Sequence, residues 1–211
     1  MAIRFIYFDL GNVLINFSVQ RLLYQVSELT HKSEEEVKNA IFGDKKYQML
    51  ENGSLSSQSY FDQVCIELDC TINPDDFLEA TNNIFWVNDS ILPLVRHLAK
   101  IFFPRGILSN TGPQHWYYVQ STFDCITTLF RKHLVTSFES RYMKPQKEIY
   151  EIAFREACRE IADLSPSEIL FVDDLEENVA GAIDYGFTGL VYQDTDSLLA
   201  EFNRLGLPVP H

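Results

Sequence analysis

The sequence predicts an α/β fold, in which a Rossmann-like core with a parallel sheet is interrupted by an inserted α-helical cap domain. Short apolar runs recur along the chain, and each ends at a small or acidic residue. Amphipathic stretches of about ten to fifteen residues separate several of these runs, and one long region shows helical patterns alone. Alternation of strands and helices on this scale is typical of βαβ units, whose strands pair in parallel.

The first predicted strand covers residues 3–8, which are β-branched or aromatic except for Arg4, and it runs into Asp9. Four later apolar runs repeat this pattern and predict further strands: residues 106–108, 134–136, 169–172 and 189–192. Helical patterns follow at residues 147–160 and 176–185. The order of these elements predicts βαβ units and a parallel sheet.

The region after the first strand breaks this alternation. Between residues 17 and 87 we expect helices and no strand, with helix-start signals at Ser33–Glu36 and Pro74–Asp76. We therefore predict a cap domain at residues 17–88 and a core domain formed by residues 1–16 and 89–211. Both connections to the cap then lie beside the carboxyl end of the first strand.

Composition excludes some classes of partner. The 211 residues include 17 Lys and Arg against 30 Asp and Glu, a formal charge of −13 at pH 7. Nucleic-acid affinity depends on basic groups that replace counterions on phosphates, so we expect no nucleic-acid partner, and an acidic membrane surface is disfavoured for the same reason. Without a secretory signal pattern or a long apolar run, we expect a cytoplasmic protein with no membrane partner. Its oligomeric state is left open.

Polar side chains stand where the predicted strands end. They are Asp9 after the first strand, Ser109 and Asn110 after the second, and Asp173 and Asp174 after the fourth. Lys144 precedes Pro145 at a helix start. Each residue alone is more often a helix cap or a solvated surface group, but ligands of open α/β sheets bind at these strand ends.

Together these segments resemble the four motifs of the haloacid dehalogenase-like hydrolase superfamily, in the same order. The matching segments are Phe8-Asp9-Leu10-Gly11-Asn12-Val13-Leu14, Leu108-Ser109-Asn110-Thr111, Lys144-Pro145, and Phe171-Val172-Asp173-Asp174 with Asn178. The helical insert lies where the first cap class of this superfamily is placed, and the branch with Asp-Leu-Gly-Asn is similar to bacterial sugar-1-phosphate phosphatases.

The resemblance implies phosphoryl transfer to a carboxylate. Asp9 is the implied nucleophile, which forms an aspartyl-phosphate that water then hydrolyses. Mg²⁺ is the implied cofactor, held by Asp9, the Gly11 carbonyl, Asp173 and Asp174. Ser109, Asn110 and Lys144 are the implied substrate-binding residues: Ser109 bonds the phosphoryl oxygens, Lys144 neutralises charge, and Asn110 chiefly positions its neighbours, as Asn178 does. The expected partner is a small phosphorylated metabolite, such as a sugar phosphate.

One position departs from the superfamily pattern. Most of its phosphatases have a second Asp two residues after the nucleophile, which protonates the leaving oxygen; here that position is Gly11. Loss of a general acid costs about 10²- to 10⁴-fold in rate. The preferred hypothesis is a working phosphatase whose substrates have good leaving groups. The alternatives are a protein that binds a phosphorylated ligand without hydrolysing it and, ranked last, a dehalogenase.

Several residues outside the motifs could reach such a site. His115 follows the second motif and could substitute for the missing acid, although an ordinary surface histidine is more common. Glu51 could face the site, although a solvated helix end is the more common position for such a residue. Two aromatic groups, Phe85-Trp86 and Trp116-Tyr117-Tyr118, could stack on a sugar ring, although packing in the core is more common.

Overall fold

The computed structural model describes residues 2–210. Within them the chain forms seven strands: β1 (Phe5–Phe8), β2 (Ile15–Phe17), β3 (Phe85–Val87), β4 (Arg105–Ser109), β5 (Leu134–Thr136), β6 (Ile169–Asp173) and β7 (Thr188–Val191). Five of them form one parallel sheet in the order β5-β4-β1-β6-β7. The predicted α/β class is therefore confirmed, and all five predicted strands are present.

The α-helices of the described residues fall into two groups. Those of the insert are α1 (Val19–Thr30), α2 (Glu34–Phe42), α3 (Lys46–Glu51), α4 (Ser57–Glu67) and α5 (Pro74–Asn82). Those that accompany the sheet are α6 (Leu92–Lys100), α7 (Pro113–Thr122), α8 (Asp124–Leu129), α9 (Ser137–Ser140), α10 (Lys147–Cys158), α11 (Glu176–Tyr185) and α12 (Thr195–Arg204).

Both faces of the sheet are buried, as expected for parallel strands. Alternate residues of β1 point to opposite faces, so Phe5 and Tyr7 belong to one apolar cluster, while Ile6 and Phe8 belong to another. Helices α10 and α11 contribute to the first cluster, and α6, α7, α8 and α12 contribute to the second. The polar ends of the strands are thus held on a rigid, dry scaffold.

The order of the strands fixes where a ligand site can form. From β1 the chain continues to β4 and β5 on one side, and then crosses to β6 and β7 on the other. The direction of strand order therefore reverses beside β1, and the carboxyl ends of β1, β4 and β6 adjoin. This reversal is where open α/β sheets bind ligands.

The insert has an apolar core of its own, to which Leu22, Val26, Ile41 and other residues contribute. Its helix starts follow the predicted signals. Ser33 caps α2 with a capping box, and α5 begins at Pro74. Because the helices bury apolar surface mainly against one another, they form a cluster that stands beside the sheet.

The expectation of no strand between residues 17 and 87 is wrong. β2 pairs with β3 in a two-stranded antiparallel ribbon, with Asn16 opposite Trp86. Each strand has three residues, too few to show the alternation that identifies a strand in a sequence. The ribbon joins both ends of the insert to the core, and the predicted boundary between residues 16 and 17 falls within β2.

None of the helices formed by residues 2–210 combines the length and the apolar character that are needed to cross a membrane.

Candidate active site

The strand-end residues named from the sequence lie together at the carboxyl edge of the sheet. Asp9 follows β1, Ser109 ends β4 and Asp173 ends β6. All three are buried, and Asp173 has no solvent exposure. Since β1 pairs with both β4 and β6, the sheet itself brings these side chains to one place.

Lys144 joins two of these strand ends. Its Nζ lies 2.8 Å from Asp9 Oδ1 and 2.6 Å from Asp173 Oδ2, and the whole side chain is buried. Burial lowers the pKa of Lys144, but the attraction of the two carboxylates outweighs it, so the pKa lies above its ordinary value. The ammonium therefore stays charged and holds both carboxylates in fixed positions.

Asp9 is a buried carboxyl group in a strongly charged environment. Its Oδ1 accepts a hydrogen bond from the Leu10 backbone N–H at 2.7 Å, in addition to that from Lys144. The pKa of Asp9 is raised to about 7, chiefly by burial. Attraction to Lys144 opposes this rise, and repulsion from Asp173 and Asp174 adds to it. A cation added beside Asp9 would thus favour its ionised form.

The two acidic residues of the fourth motif have different surroundings. Asp173 accepts hydrogen bonds from the Leu175 N–H at 2.8 Å and from Asn178 Nδ2 at 3.0 and 3.1 Å, beside its ion pair with Lys144. Asp174 is only partly buried and accepts a hydrogen bond from Asn12 Nδ2 at 2.9 Å. Asp174 therefore has more free acceptor capacity for an added ligand.

The residues present fit a divalent cation. Asp9, Asp173 and Asp174 each offer one carboxylate oxygen, and these three atoms lie within 4.8 Å of one another. Lys144 supplies one positive charge against three carboxylates, and burial followed by repulsion from Asp173 raises the pKa of Asp174. Hard oxygen donors with excess negative charge are the set that Mg²⁺ binds.

Asn110 acts on Lys144 through the backbone. Its Oδ1 accepts the Lys144 N–H at 2.8 Å, and its Nδ2 donates to the Lys144 carbonyl oxygen at 3.0 Å. The amide thereby connects the end of β4 to the loop that carries the lysine. Ser109, which precedes it, is buried and lines the adjoining cavity.

At Gly11 the space for a side chain is restricted. A Cβ placed on Gly11 would lie 3.1 Å from Cε1 of the Phe17 ring. This contact is tighter than ordinary van der Waals packing, so any side chain here would displace the ring. The second acid of the superfamily pattern is thus absent, and an aromatic residue of β2 lies close to the position that its Cβ would take.

A cavity of about 170 Å³ opens between the sheet edge and the insert. On the sheet side it is bounded by Leu10, Gly11, Ser109, Asn110 and Thr111. The remaining walls are largely apolar or aromatic, and their titratable members are Tyr47, Glu51 and His115. The full set of these wall residues is Ile15, Phe17, Val19, Leu22, Phe42, Tyr47, Glu51, Ile84, Phe85 and His115. The insert thus covers the strand ends with a mainly apolar surface.

Glu51 lines this cavity and does not lie at a solvated helix end, the position that is more common for such a residue. It ends α3 and is partly buried. The pKa of Glu51 is raised to about 7, chiefly by burial. Attraction to Lys144 opposes this rise, and repulsion from Asp9 adds to it. The cavity that Glu51 lines also borders Ser109 and Asn110, so the carboxyl shares it with two of the motif residues.

His115 is buried rather than on the surface, contrary to the more common position for such a residue. It lines the cavity, with its ring 5.1 Å from that of Phe85 and 6.5 Å from that of Tyr47. Burial lowers the pKa of His115 to about 4, although a hydrogen bond with the Thr81 backbone raises it. The imidazole is therefore neutral near pH 7.

The aromatic groups divide between the cavity and other environments. Phe85 lines the cavity, whereas Trp86 beside it is exposed. Trp116 is buried in the core of the sheet domain, and Tyr117 is exposed. The Tyr118 ring lies 6.2 Å from that of Phe85. Of the five, Phe85 alone lines the cavity, so most of the expected stacking surface is not there.

Ser137 is a residue whose role the sequence did not indicate. It ends the run that forms β5, and its Oγ accepts the Thr111 N–H at 2.9 Å and donates to the Glu51 carbonyl oxygen at 2.6 Å. The hydroxyl thereby ties the insert to the sheet beside the cavity. A serine after a strand is common, so no sequence signal distinguished it.

The fold and this arrangement of strand-end carboxylates can be compared with those of known proteins. No protein-family model matches the chain. Solved structures do match. A haloacid dehalogenase family enzyme from Bacteroides thetaiotaomicron, crystallised in complex with magnesium and inorganic phosphate, superposes with a TM-score of 0.79 and 23% identity, over 94% of this chain and 99% of that one.

Two further structures extend this likeness. A haloacid dehalogenase-like family hydrolase from Porphyromonas gingivalis gives a TM-score of 0.76 at 21% identity, over 97% of this chain and 98% of that one. An L-2-haloacid dehalogenase from Xanthobacter autotrophicus with covalently bound chloropropionic acid gives a TM-score of 0.62 at 17% identity, over 96% of this chain and 83% of that one. The chain thus has the fold of these solved structures, which is the fold that the motifs indicated.

Proposed function

We propose that this chain is a Mg²⁺-dependent phosphatase, which hydrolyses a small phosphorylated metabolite through an aspartyl-phosphate on Asp9. Sugar phosphates are among the candidate substrates. The observation that carries the proposal is the position of Asp9, held by Lys144 within reach of Asp173 and Asp174. The match to a structure that contains magnesium and inorganic phosphate supports it.

The metal would be held by Asp9, Asp174 and the Gly11 carbonyl oxygen, with Asp173 beside them. When bound, Mg²⁺ masks the negative charge that would otherwise keep a phosphate dianion away from a carboxylate. The same requirement accounts for the buried ammonium of Lys144. A protein that only bound phosphate would gain nothing from a carboxylate aimed at the ligand, because like charges repel.

The residues of this chain have separate roles in the proposed reaction. A carboxylate oxygen of Asp9 attacks phosphorus in line with the leaving oxygen, and the bond to that oxygen breaks. Lys144 neutralises charge on the nucleophile and on the transferred group, Ser109 donates to a phosphoryl oxygen, and Asn110 keeps Lys144 in place. Water then attacks phosphorus and releases inorganic phosphate, which regenerates Asp9.

The test is hydrolysis by the purified protein after removal of metal, with and without added Mg²⁺. The substrates are p-nitrophenyl phosphate, a hexose 1-phosphate and a simple alkyl phosphate. We expect Mg²⁺-dependent release of phosphate, its loss in Asp9→Asn, and its retention in Asp184→Asn, an exposed residue of α11. Acid quenching during turnover should trap a phosphoryl group on Asp9.

Two results would contradict the proposal. Failure to hydrolyse any phosphate ester, together with Mg²⁺-dependent binding of phosphate, would indicate a binding protein. Release of halide from a 2-haloacid without metal would indicate a dehalogenase. The cluster of Asp9, Asp173 and Asp174 favours the phosphatase over the dehalogenase, since attack on a halogenated carbon needs no metal.

A further inference from the structure

We infer that Glu51 performs the proton transfers that an acidic side chain at the position of Gly11 would otherwise perform. The leaving group that receives the proton is compact and apolar, and it lies in the cavity beneath the insert. This inference rests on the proposed phosphatase activity and deepens it. The cavity borders both Gly11 and Glu51, so a group that leaves phosphorus beside Gly11 meets the carboxyl of Glu51.

The need for another acid follows from the surroundings of Gly11. An alkoxide is a poor leaving group unless it receives a proton as the bond to phosphorus breaks, and a positioned acid supplies about 10²- to 10⁴-fold in rate. Gly11 cannot supply that proton, because it has no side chain, and the Phe17 ring would lie 3.1 Å from a Cβ at this position. The donor must therefore come from elsewhere on the cavity wall.

The Glu51 carboxyl is free to take this role. Across residues 2–210 the structure records neither a hydrogen bond nor an ion pair of its side chain, although Asp9 and Lys144 both act on it electrostatically. A carboxyl with purely structural duties would normally be paired when partly buried. Glu51 instead faces the cavity with its oxygens available to a ligand.

The backbone that carries Glu51 is held firmly against the core. Its carbonyl oxygen accepts the Ser137 hydroxyl at 2.6 Å. Two residues later Gly53 adopts a left-handed conformation with φ of 71°, where a Cβ would lie 2.3 Å from the Phe138 carbonyl oxygen. Only glycine allows this approach, which presses the end of α3 onto the core beside the site.

The other titratable groups on the cavity wall are less suitable. His115 is neutral near pH 7, because burial lowers its pKa to about 4, and it is bonded to the Thr81 backbone. Burial raises the pKa of Tyr47 well above 10, so this phenol does not readily release its proton. Asp174 is bonded to Asn12 and is not among the residues that line the cavity.

The charge state of Glu51 suits an acid that must also serve as a base. Burial raises its pKa to about 7, so both forms are populated near neutral pH. The titratable groups that interact with it or share its cavity come from the sheet edge, the neighbouring helices and α7: Asp9, Lys144, Tyr47, Tyr60 and His115.

The two steps balance in atoms and protons. In the first, Asp9 forms a bond to phosphorus, the bond from phosphorus to the leaving oxygen breaks, and protonated Glu51 gives its proton to that oxygen. The released alcohol departs. In the second, the water oxygen forms a bond to phosphorus, the bond between phosphorus and the Asp9 oxygen breaks, and Glu51 carboxylate takes a proton from that water. This restores protonated Glu51 and the Asp9 carboxylate and releases inorganic phosphate.

The size and lining of the cavity indicate the class of leaving group. A cavity of about 150 Å³ lined by apolar residues can hold benzene, and this one measures about 170 Å³. Phe17, Leu22 and Phe85 are among its apolar walls. A single ring with an apolar face fits this space better than a fully hydroxylated sugar, whose polar groups would lose their hydrogen bonds to water.

The experiment measures kcat/KM with Mg²⁺ for three esters with ring-sized leaving groups of increasing basicity: p-nitrophenyl, phenyl and benzyl phosphate. We expect Glu51→Gln to lower kcat/KM by about 10²- to 10⁴-fold for benzyl phosphate and by less than about tenfold for p-nitrophenyl phosphate. The alkaline decline of the wild-type profile for benzyl phosphate should disappear in the variant. Glu35→Gln, an exposed residue of α2, is the matched control.

The outcomes separate this inference from the proposed function. Equal losses for all three esters in Glu51→Gln would overturn the role of Glu51, whereas a wild-type protein inactive on every ester would overturn the phosphatase itself. For the leaving group, we expect kcat/KM for benzyl phosphate to exceed that for a hexose 6-phosphate, also an ester of a primary alcohol, by at least about tenfold. The reverse order would overturn the apolar class.

Discussion

The hydroxyl of Ser137 donates a hydrogen bond to the backbone carbonyl oxygen of Glu51 at 2.6 Å. Ser137 follows β5 at the edge of the sheet, and Glu51 ends a helix of the insert. The same Oγ accepts the buried Thr111 N–H, so one side chain connects the second motif to the end of α3. The position of the proposed proton donor is therefore coupled to the sheet.

Replacement of Ser137 by Ala should weaken both stability and catalysis. The variant leaves the Thr111 N–H without its acceptor, which costs about 1–3 kcal/mol in the free energy of unfolding. Release of the Glu51 backbone should also lower kcat/KM by several-fold more for benzyl phosphate than for p-nitrophenyl phosphate. Urea unfolding and steady-state kinetics measure the two effects.

Ser140→Ala is the matched control for this prediction. Ser140 ends the same short helix, and within residues 2–210 its hydroxyl bonds to nearby backbone alone. It donates to the Ser137 carbonyl oxygen at 3.3 Å and to that of Tyr142 at 3.0 Å, and it accepts the Tyr142 N–H at 3.3 Å. We expect a change below about 1 kcal/mol and unaltered kinetics. If both variants behave alike, the connection through Ser137 is not what holds Glu51.

Replacement of Glu51 by Gln should stabilise the metal-free protein at alkaline pH. Burial raises the pKa of Glu51 from 4.5 to about 7, so the folded state binds its proton more tightly than the unfolded state. The stability that this group contributes is therefore present at low pH and is lost as pH rises through 7. Gln has no charge to bury, and we expect it to add roughly 1–3 kcal/mol at pH 8.

Urea unfolding in the presence of a chelator at pH 5.5 and pH 8 checks this prediction. The difference between the variant and the wild type should shrink at the lower pH, where the wild-type carboxyl is protonated. Glu35→Gln, on the exposed face of α2, is the control for the replacement of a glutamate by glutamine. A Glu51→Gln variant that is less stable than the wild type at pH 8 would show that burial of the Glu51 carboxylate does not destabilise the folded state.

The sheet and the motif residues could be predicted because their signals are local. Runs such as Phe5–Phe8 are apolar throughout, and Asp9 and Asp173 must meet once their strands pair in parallel. The ribbon of β2 and β3 was missed because its strands are only three residues long.

The positions of Glu51 and His115 depend instead on how the insert packs over the core. That packing is set by contacts between residues far apart in sequence, such as Ser137 with Glu51. A single sequence contains no periodicity that reports which face of α3 or α7 meets the cavity. For this reason the more common positions were expected for both residues, and both proved different.

The two acids of the fourth motif should respond differently to replacement. Asp174→Asn should fold within about 1 kcal/mol of the wild type, since Asp174 is partly exposed, but should bind Mg²⁺ at least about tenfold more weakly. Asp173→Asn removes a buried partner of Lys144 and should cost about 3–5 kcal/mol. Calorimetric titration with Mg²⁺ and urea unfolding separate these effects, and equal destabilisation by both variants would contradict the distinction.

Replacement of His115 by Gln should change stability at acidic pH and leave the pH profile of catalysis unaltered. Burial lowers the pKa of His115 from 6.5 to about 4, so the unfolded state binds a proton that the folded state rejects. This group therefore costs stability as pH falls from 6.5 towards 4, by roughly 1–3 kcal/mol, and the variant should lack that part of the loss. Urea unfolding at pH 7 and pH 4.5 tests this, with His97→Gln on α6 as the control for removal of a histidine. If the alkaline decline of kcat/KM moved in His115→Gln and not in Glu51→Gln, the imidazole rather than the carboxyl would be the proton donor, because each variant removes only one of the two titratable groups.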